Sequence, residues 1–263
     1  PESMAAVFTD PPYFGNVQYG ELMDFCYVWL RRLVGNEAEG FWRSSTRTQE
    51  ELTGNVTRSR GLPEFTEGLA RVYRHMAAAL KPGAPLVFTY HHNKIDAYFA
   101  VGVAILDADL TCSASLPCPA EMGGSIHIHG TGSSIVDTVF VCRDTGNMPR
   151  RWLFNSADDL AAIVAHDLAQ VAEGGRKPTT GDTRCIIFGH LTRMAIWNLR
   201  KDWNTDLPTE EKLDRFAEAI RALADPEDLL RRLQQSPAAI PTPQSPLFSA
   251  AAAKERREDA VAF

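Results

Sequence analysis

Apolar and polar positions repeat along this chain in two periods, which predict strands and helices in turn. The apolar run 4–10 ends at an acidic residue and a Pro-Pro pair, so it indicates a buried strand followed by a turn. Residues 20–33 repeat apolar side chains at helical spacing, and residues 64–80 do the same before a Pro-Gly stop. The run 85–92 predicts a second buried strand, and residues 93–110 predict another helix.

Two further strands are predicted at 111–121 and 134–143, on either side of a glycine-rich stretch. Strands that alternate with helices imply a mainly parallel sheet with helices on its faces. The closing pair of strands suggests that the last one runs antiparallel. The expected organisation is an α/β domain at 1–148, a helical region at 149–235, and a flexible tail, rich in Pro, Ala and charge, at 236–263.

Residues 35–63 lose the periodic pattern and are rich in Gly, Ser, Thr, Asn and Arg. We expect a long loop with one helical turn near residues 49–52, and loops of this length in compact domains are usually functional or disordered. The loop carries four arginines, Arg43, Arg47, Arg58 and Arg60. These arginines either grip phosphates or belong to a charged, solvated loop.

Composition narrows the classes of protein. The net charge of −6 over 263 residues means that any nucleic-acid contact must use a local basic patch. No apolar run approaches the roughly 20 residues of a membrane span, and no signal peptide is expected, so a cytoplasmic protein is predicted. The five cysteines are scattered and form no C-x-x-C pair, which favours a reducing compartment and buried thiols.

The run Asp10-Pro11-Pro12-Tyr13 has the chemistry needed to hold an aromatic amine. The nitrogen lone pair of an exocyclic amine is delocalised into its ring, so acceptors must hold the amine hydrogens before a methyl group can be transferred. A carboxylate and a neighbouring backbone carbonyl both accept, prolines stiffen the turn, and an aromatic ring stacks on the flipped base. Strand ends in open α/β sheets are where ligands bind.

Other residues near this turn have two interpretations each. Asn16 and Tyr19 either line a base pocket or cap the following helix, and His91 with His92 either contacts a ligand or begins a polar helix. His127 and His129 lack the further ligands that a metal site needs, so no metal is expected. The aromatic residues Phe25, Tyr27 and Trp29 are expected in the core.

The stretch from Thr9 to Leu33 resembles the catalytic-loop region of amino-group DNA methyltransferases. It is most similar to the large adenine-specific DNA methylase family that carries an N-terminal domain of unknown function and an internal zinc ribbon. Segments 65–98 and 121–143 match that family in order, so the resemblance covers about residues 5–145. Some members of the family belong to anti-phage and restriction-modification systems.

The resemblance implies a Rossmann-like methyltransferase sheet, from the D-P-P-Y strand onward, and S-adenosyl-L-methionine as cofactor. It implies that Asp10, Pro11, Pro12 and Tyr13 bind the amine and stack on the base. Thr9, Asp10 and His91 are candidate cofactor contacts. The expected substrate is DNA, with adenine N6 favoured over cytosine N4 as the methylated atom.

The family's glycine-rich cofactor loop and zinc ribbon have no counterpart here. The run 129–134 contains Gly-x-Gly but precedes a strand instead of opening a helix. We therefore expect the second half of a catalytic domain, which needs its N-terminal half or a partner chain and is poorly soluble alone. The alternatives are an RNA base methyltransferase and a catalytically inactive DNA-binding or specificity fragment.

Overall fold

The computed structural model describes residues 2–15, 17–35, 37–55, 60–120, 134–144 and 156–235. The strands are β1 (Val7–Thr9), β2 (Leu86–Tyr90), β3 (Thr111–Pro119) and β4 (Val136–Arg143). The helices are α1 (Tyr19–Val34), α2 (Leu62–Ala79), α3 (Ile95–Asp107), α4 (Ala157–Glu173), α5 (Thr180–Leu199), α6 (Thr209–Leu223) and α7 (Pro226–Gln235). Single-turn 3₁₀ helices lie at Glu39–Phe41 and Arg200–Asp202.

The four strands form one sheet in the order β1-β2-β4-β3. β1 runs parallel to β2, whereas β4 lies antiparallel between β2 and β3. The predicted α/β class and the antiparallel last strand are confirmed. The described sheet is mixed: β1, β2 and β3 run in one direction, as expected, and β4 alone is reversed, so its place between β2 and β3 makes two of the three strand pairs antiparallel.

One face of the sheet contributes its side chains to the hydrophobic core. The alternate residues Leu86, Phe88 and Tyr90 of β2 are buried, and the same alternation continues in β4. Helices α3 and α5 pack on the sheet, and the ring of Tyr73 from α2 lies 4.8 Å from that of Phe88. Tyr98 of α3 is fully buried and completes the aromatic core.

The opposite face of the sheet remains open in the part of the chain that the structure describes. Phe8, 74% exposed, shares this face with Val87, its partner across the β1–β2 pair. Val139 and Val141 of β4 are half-exposed there, and Leu116 of β3 is 51% exposed. The sheets of α/β proteins ordinarily have helices packed on both faces. Among the described residues, no helix packs on this apolar face.

The helices after residue 156 share the core of the sheet. Helix α5 is buried along most of its length, and Gly189 allows close contact because a Cβ there would lie 2.5 Å from the Ser115 hydroxyl. Gly102 of α3 similarly makes room for the ring of Phe216 from α6. The helical region therefore packs on the sheet, and the domain boundary near residue 148 stays a prediction.

Helix α1 forms where its apolar spacing predicts it, but its apolar side faces outward. Leu22, Phe25, Val28, Trp29 and Leu33 are all exposed, and only Tyr27 of the predicted aromatic set is buried. The expectation that Phe25 and Trp29 lie in the core was wrong. The physical reason is that residues 40–51 fold onto the polar side of the helix instead.

The 35–63 loop contains its helical turn at Glu39–Phe41, earlier than predicted, and residues 49 and 50 form a simple turn. The ring of Phe41 stacks on Tyr27 with 5.3 Å between centroids, which fixes that turn on α1.

Three of the cysteines, Cys112, Cys142 and Cys185, are buried as expected. The same expectation was wrong for Cys26, on the outer side of α1, and for Cys118, near the end of edge strand β3. No helix in the described ranges is long and apolar enough to cross a membrane.

A buried ion pair joins α3 to α6. The Lys212 ammonium lies 2.8 Å from the Asp107 carboxylate, and both side chains are less than a tenth exposed. Trp203 donates its indole N–H to the same carboxylate at 2.9 Å, and Arg74 approaches it to 3.5 Å. Because several donors surround Asp107, its charge is compensated despite burial.

Removing the ammonium group should destabilise the fold strongly. We expect Lys212→Ala to lower the free energy of unfolding by about 3 kcal/mol, because it leaves a buried carboxylate with reduced compensation. Urea denaturation measures this change. Lys201→Ala, at an exposed lysine in the 3₁₀ turn, should change the same quantity by less than about 0.5 kcal/mol. Equal effects of the two substitutions would contradict the role of the pair.

Candidate functional site

The D-P-P-Y turn begins where β1 ends. Asp10 is exposed, Pro11 is buried, and Pro12 and Tyr13 are half-buried. Thr9 is paired with Phe88 in the parallel register, so it belongs to the buried side of the sheet, whereas Asp10 follows on the open side. The carboxylate therefore stands at the carboxyl end of β1, where α/β sheets place ligands.

Two hydroxyl groups fix the Asp10 carboxylate. The Tyr13 hydroxyl donates to Asp10 Oδ1 at 3.1 Å, and the Thr89 hydroxyl donates a short hydrogen bond to the same oxygen. The two hydroxyl oxygens are 3.4 Å apart. Because both bonds fall on Oδ1, the described residues leave Oδ2 open to an incoming donor. Thr89 was not predicted, although a lone polar residue near the end of an apolar strand was the available signal.

The ring of Tyr13 is held against the core. It packs edge-on against Tyr90 with 5.3 Å between ring centroids. Burial raises the pKa of the Tyr13 hydroxyl well above its ordinary value, and the nearby Asp137 and Asp10 carboxylates add to the rise. The phenol therefore stays protonated at neutral pH and remains a donor to Asp10.

Phe14 anchors the turn from the other side. Its ring packs edge-on against Phe65 at 5.3 Å and lies 6.3 Å from the His92 ring. A Cβ on Gly54 would lie 2.5 Å from the Phe14 ring, so only glycine allows the loop to approach this closely. Burial lowers the pKa of His92, which therefore stays neutral at neutral pH.

A second acidic group stands beside the turn. His91 follows β2, and the antiparallel register places it opposite Asp137 of β4, with 3.9 Å between Nδ1 and Oδ1. His91 Nδ1 also lies 3.2 Å from the Val136 carbonyl and 3.8 Å from the Cys185 sulfur. Burial raises the pKa of the Cys185 thiol to about 11, so it is a neutral neighbour. Asp137, an acidic residue inside an apolar strand, was also missed by the sequence reasoning.

Tyr19 is the first residue of α1. Burial raises the pKa of the Tyr90 hydroxyl, and the nearby Tyr19 adds to the rise. Tyr19 does not cap the helix. The Glu51 carboxylate accepts from the Gly20 amide at 2.9 Å and so satisfies one N–H of the first turn from the loop. Asn16, the other candidate for the base pocket, lies outside the described residues, as do His127 and His129.

The predicted arginines have different surroundings. Arg43 is exposed, whereas Arg47 pairs with Asp24 at 3.1 Å and with Glu21 at 3.7 Å. Arg60 is half-buried and donates to the Glu51 carbonyl at 2.6 Å. Arg58 lies outside the described residues. These contacts commit Arg47 and Arg60 to holding the loop, and leave Arg43 as the most accessible of the three for a phosphate.

Asp24 ties the arginine loop to α1. Its carboxylate accepts from the Ser45 hydroxyl at 2.6 Å, from the Thr46 amide and hydroxyl at 2.6 and 2.7 Å, and from Arg47 Nε at 3.1 Å. The Ser45 hydroxyl and the Thr46 donors hold the pKa of Asp24 well below its usual range. The loop therefore rests on an ionised carboxylate.

This contact should depend on pH and on the charge of Asp24. A lowered pKa means that the contact is present above the ordinary aspartate pKa, near about 3.9, and weakens as the pH falls below it. We expect the Thr46 amide to be protected from hydrogen exchange at neutral pH and to lose protection in acid. Asp24→Asn should lose that protection at every pH, while Glu37→Gln, at an exposed position, should keep it. Retained protection in Asp24→Asn would contradict the contact.

The chain matches no protein-family model, no curated protein and no solved structure. What the protein does must therefore be argued from the geometry of this site.

Proposed function

We propose that this chain holds the base in an S-adenosyl-L-methionine-dependent methyl transfer to an exocyclic amine of DNA, at adenine N6. The observation that supports this most directly is the exposed Asp10 carboxylate at the end of β1, oriented by Thr89 and Tyr13. The resemblance of the D-P-P-Y segment and the antiparallel last strand of the sheet point the same way.

The residues of the turn divide the work of holding an amine. Asp10 accepts one amine hydrogen through Oδ2, and the backbone carbonyl next to it accepts the other. When both amine hydrogens form hydrogen bonds to these acceptors, a more tetrahedral nitrogen is favoured. Its lone pair is then available to the methyl group. The half-buried ring of Tyr13 stacks on the flipped base, and its hydroxyl prevents the carboxylate from turning away.

The described residues fit the amine but do not by themselves fit the cofactor. The segment between β2 and α3 contains His91 and His92 but no glycine, and Gly15, the left-handed glycine after the D-P-P-Y turn, stands alone. Among these residues no glycine-rich loop joins a strand to a helix N-terminus, which is how such folds hold a nucleotide. We therefore propose that a separate segment or chain holds the cofactor.

The open face of the sheet and the free edge of β1, among the described strands, support the proposal that a separate part holds the cofactor. β1 pairs only with β2 among the described strands, so its other edge is unpaired, and the face that carries Phe8 is open. A cofactor-holding segment that adds a strand beside β1 and helices over this face would satisfy both. It would also place its ligand next to the carboxyl ends of β1 and β2.

The central test is the methylation state of nucleic acid in cells that express the protein in its natural genomic context. Asp10→Asn should lower N6-methyladenine in DNA by about 100-fold or more, because an amide cannot replace the oriented carboxylate acceptor. Mass spectrometry of DNA and RNA nucleosides measures this loss. Asp109→Asn is the matched control, since Asp109 is an exposed turn residue with positive φ, which asparagine adopts readily.

Each other outcome of that experiment is informative. Loss of a methylated RNA nucleoside, with DNA unchanged, would favour an RNA base methyltransferase. Loss of N4-methylcytosine would change the target base only. No dependence of any methylated nucleoside on Asp10 would sink the proposal and favour an inactive DNA-binding or specificity fragment.

Tyr13 allows stacking and carboxylate positioning to be separated. Tyr13→Phe keeps the ring and removes one neutral hydrogen bond, so kcat/KM should fall about fivefold. Tyr13→Ala also removes the stacking surface, which is worth about 1–3 kcal/mol, and should reduce kcat/KM a further 10-fold or more. Steady-state methylation of an adenine-containing oligonucleotide, by the chain together with the part that holds the cofactor, measures both. Equal losses in the two variants would show that the ring does not stack on the base.

A further inference from the structure

The outer side of α1 forms a continuous apolar surface. Six residues, Leu22, Phe25, Cys26, Trp29, Leu30 and Leu33, are all exposed and define what we call the apolar arc. At 100° per residue they occupy one sector of about 140° on the helix, which also contains Tyr19 of the first turn but no charged residue. The exposed fractions reach 75% for Phe25 and 78% for Leu33. Such a surface on a helix is normally buried.

The described residues outside α1 leave this arc uncovered, because those that pack against the helix contact its other side. Gly20, Asp24 and Tyr27 face the 40–51 loop and contact it through hydrogen bonds and ring stacking. The Tyr27 hydroxyl donates to the Gly40 and Arg43 carbonyls, which keeps the loop on that side. Among the described residues the polar side of α1 is thus already occupied, and the apolar arc is left without cover.

The arc has the size and pattern of an interface between identical copies. Its six side chains present an apolar area of roughly 600–800 Å², close to what one partner of a standard interface buries. The positions are also symmetric about the middle of the helix. In an antiparallel pair of identical helices Leu22 meets Leu33 of the other copy, Phe25 meets Leu30, and the small Cys26 meets the large Trp29. Such self-complementarity is what a two-fold interface requires.

Charges on the margin of the arc favour the same arrangement. Glu21 in the first turn and Arg32 in the last turn lie on the same flank, and Arg32 covers the Trp29 ring at 5.5 Å. The Glu21 side chain lies 3.7 Å from Arg47 of its own loop but is still 56% exposed, so it can also meet a second cation. In an antiparallel pair the same flanks of the two helices face each other, so Glu21 of each copy meets Arg32 of the other. Opposed helix dipoles add to the attraction. A parallel pair would bring like charges to the same end.

From these observations we infer that the apolar arc is a homodimer interface, at which α1 of one copy packs antiparallel against α1 of a second copy. An unlike partner would need no internal symmetry in the arc and no opposite charges at its two ends. The inference does not depend on the proposed methyl transfer, because it concerns a different surface and is tested without DNA or cofactor.

Sedimentation equilibrium of the full chain at micromolar concentration gives the first test. The expected mass is twice the 29.1 kDa of the chain. Phe25→Glu should give a monomer, because it places a charge in the centre of the interface, and its exposure in the single chain means that the fold is retained. Leu116→Glu, at an exposed apolar residue of β3, is the matched control and should leave the dimer intact.

Charge reversal tests the antiparallel arrangement itself. Glu21→Arg and Arg32→Glu should each weaken the dimer about tenfold, because each replaces two symmetry-related attractions by repulsions. The double variant should return to near the original dissociation constant. A double variant that is weaker than either single one would overturn the antiparallel pairing, and so would single variants without effect.

Cys26 provides a distance test. In the antiparallel pair the two Cys26 residues are offset by three positions, about 4.5 Å along axes that lie about 8–10 Å apart. With Cys118→Ser as background, a short bis-maleimide should link two chains through Cys26. The reverse background, Cys26→Ser with Cys118 retained, should give no linked product. A chain that remains monomeric and unlinked at these concentrations, or that binds only an unlike partner, would overturn the inference.

Discussion

The parallel pairing of β1 with β2 is the contact on which the candidate site depends. Its register places Asp10 beside Thr89, and the resulting hydrogen bond orients the carboxylate that the proposed chemistry needs. The same register turns Val7 toward the core and Phe8 toward the open face. A slip of one residue would exchange these sides and separate Asp10 from Thr89, so the strand's packing and the site's geometry are set together.

Strand β4 links the site to the core. One set of its alternating residues, which includes Thr138 and Phe140, is buried beneath α5 and the aromatic cluster. The other set faces the open side and brings Asp137 opposite His91. The single antiparallel strand therefore packs against α5 and also supplies a second carboxylate near Tyr13.

Two apolar surfaces remain without cover in the described part of the chain, and they have different characters. The open sheet face lies beside the unpaired edge of β1, so it is suited to a segment that extends the sheet. The outer side of α1 instead carries a symmetric pattern with opposite charges at its ends, which is suited to an identical helix. The open sheet face is therefore suited to a segment that completes the sheet, and the outer side of α1 to association with a second copy of the chain.

The sequence by itself determined the helices, most of the strands, the antiparallel last strand and the place of the D-P-P-Y turn, because periodicity and turn residues are local properties. It also identified Asp10 and Tyr13 as the residues that carry the candidate chemistry. Only the tertiary structure decided which side of α1 is buried, because an amphipathic pattern does not say whether the polar or the apolar side meets the chain's own loop. Thr89, Asp137, Asp24 and Glu51 likewise acquired their roles through strand register and loop packing, which bring together residues that are far apart in the chain.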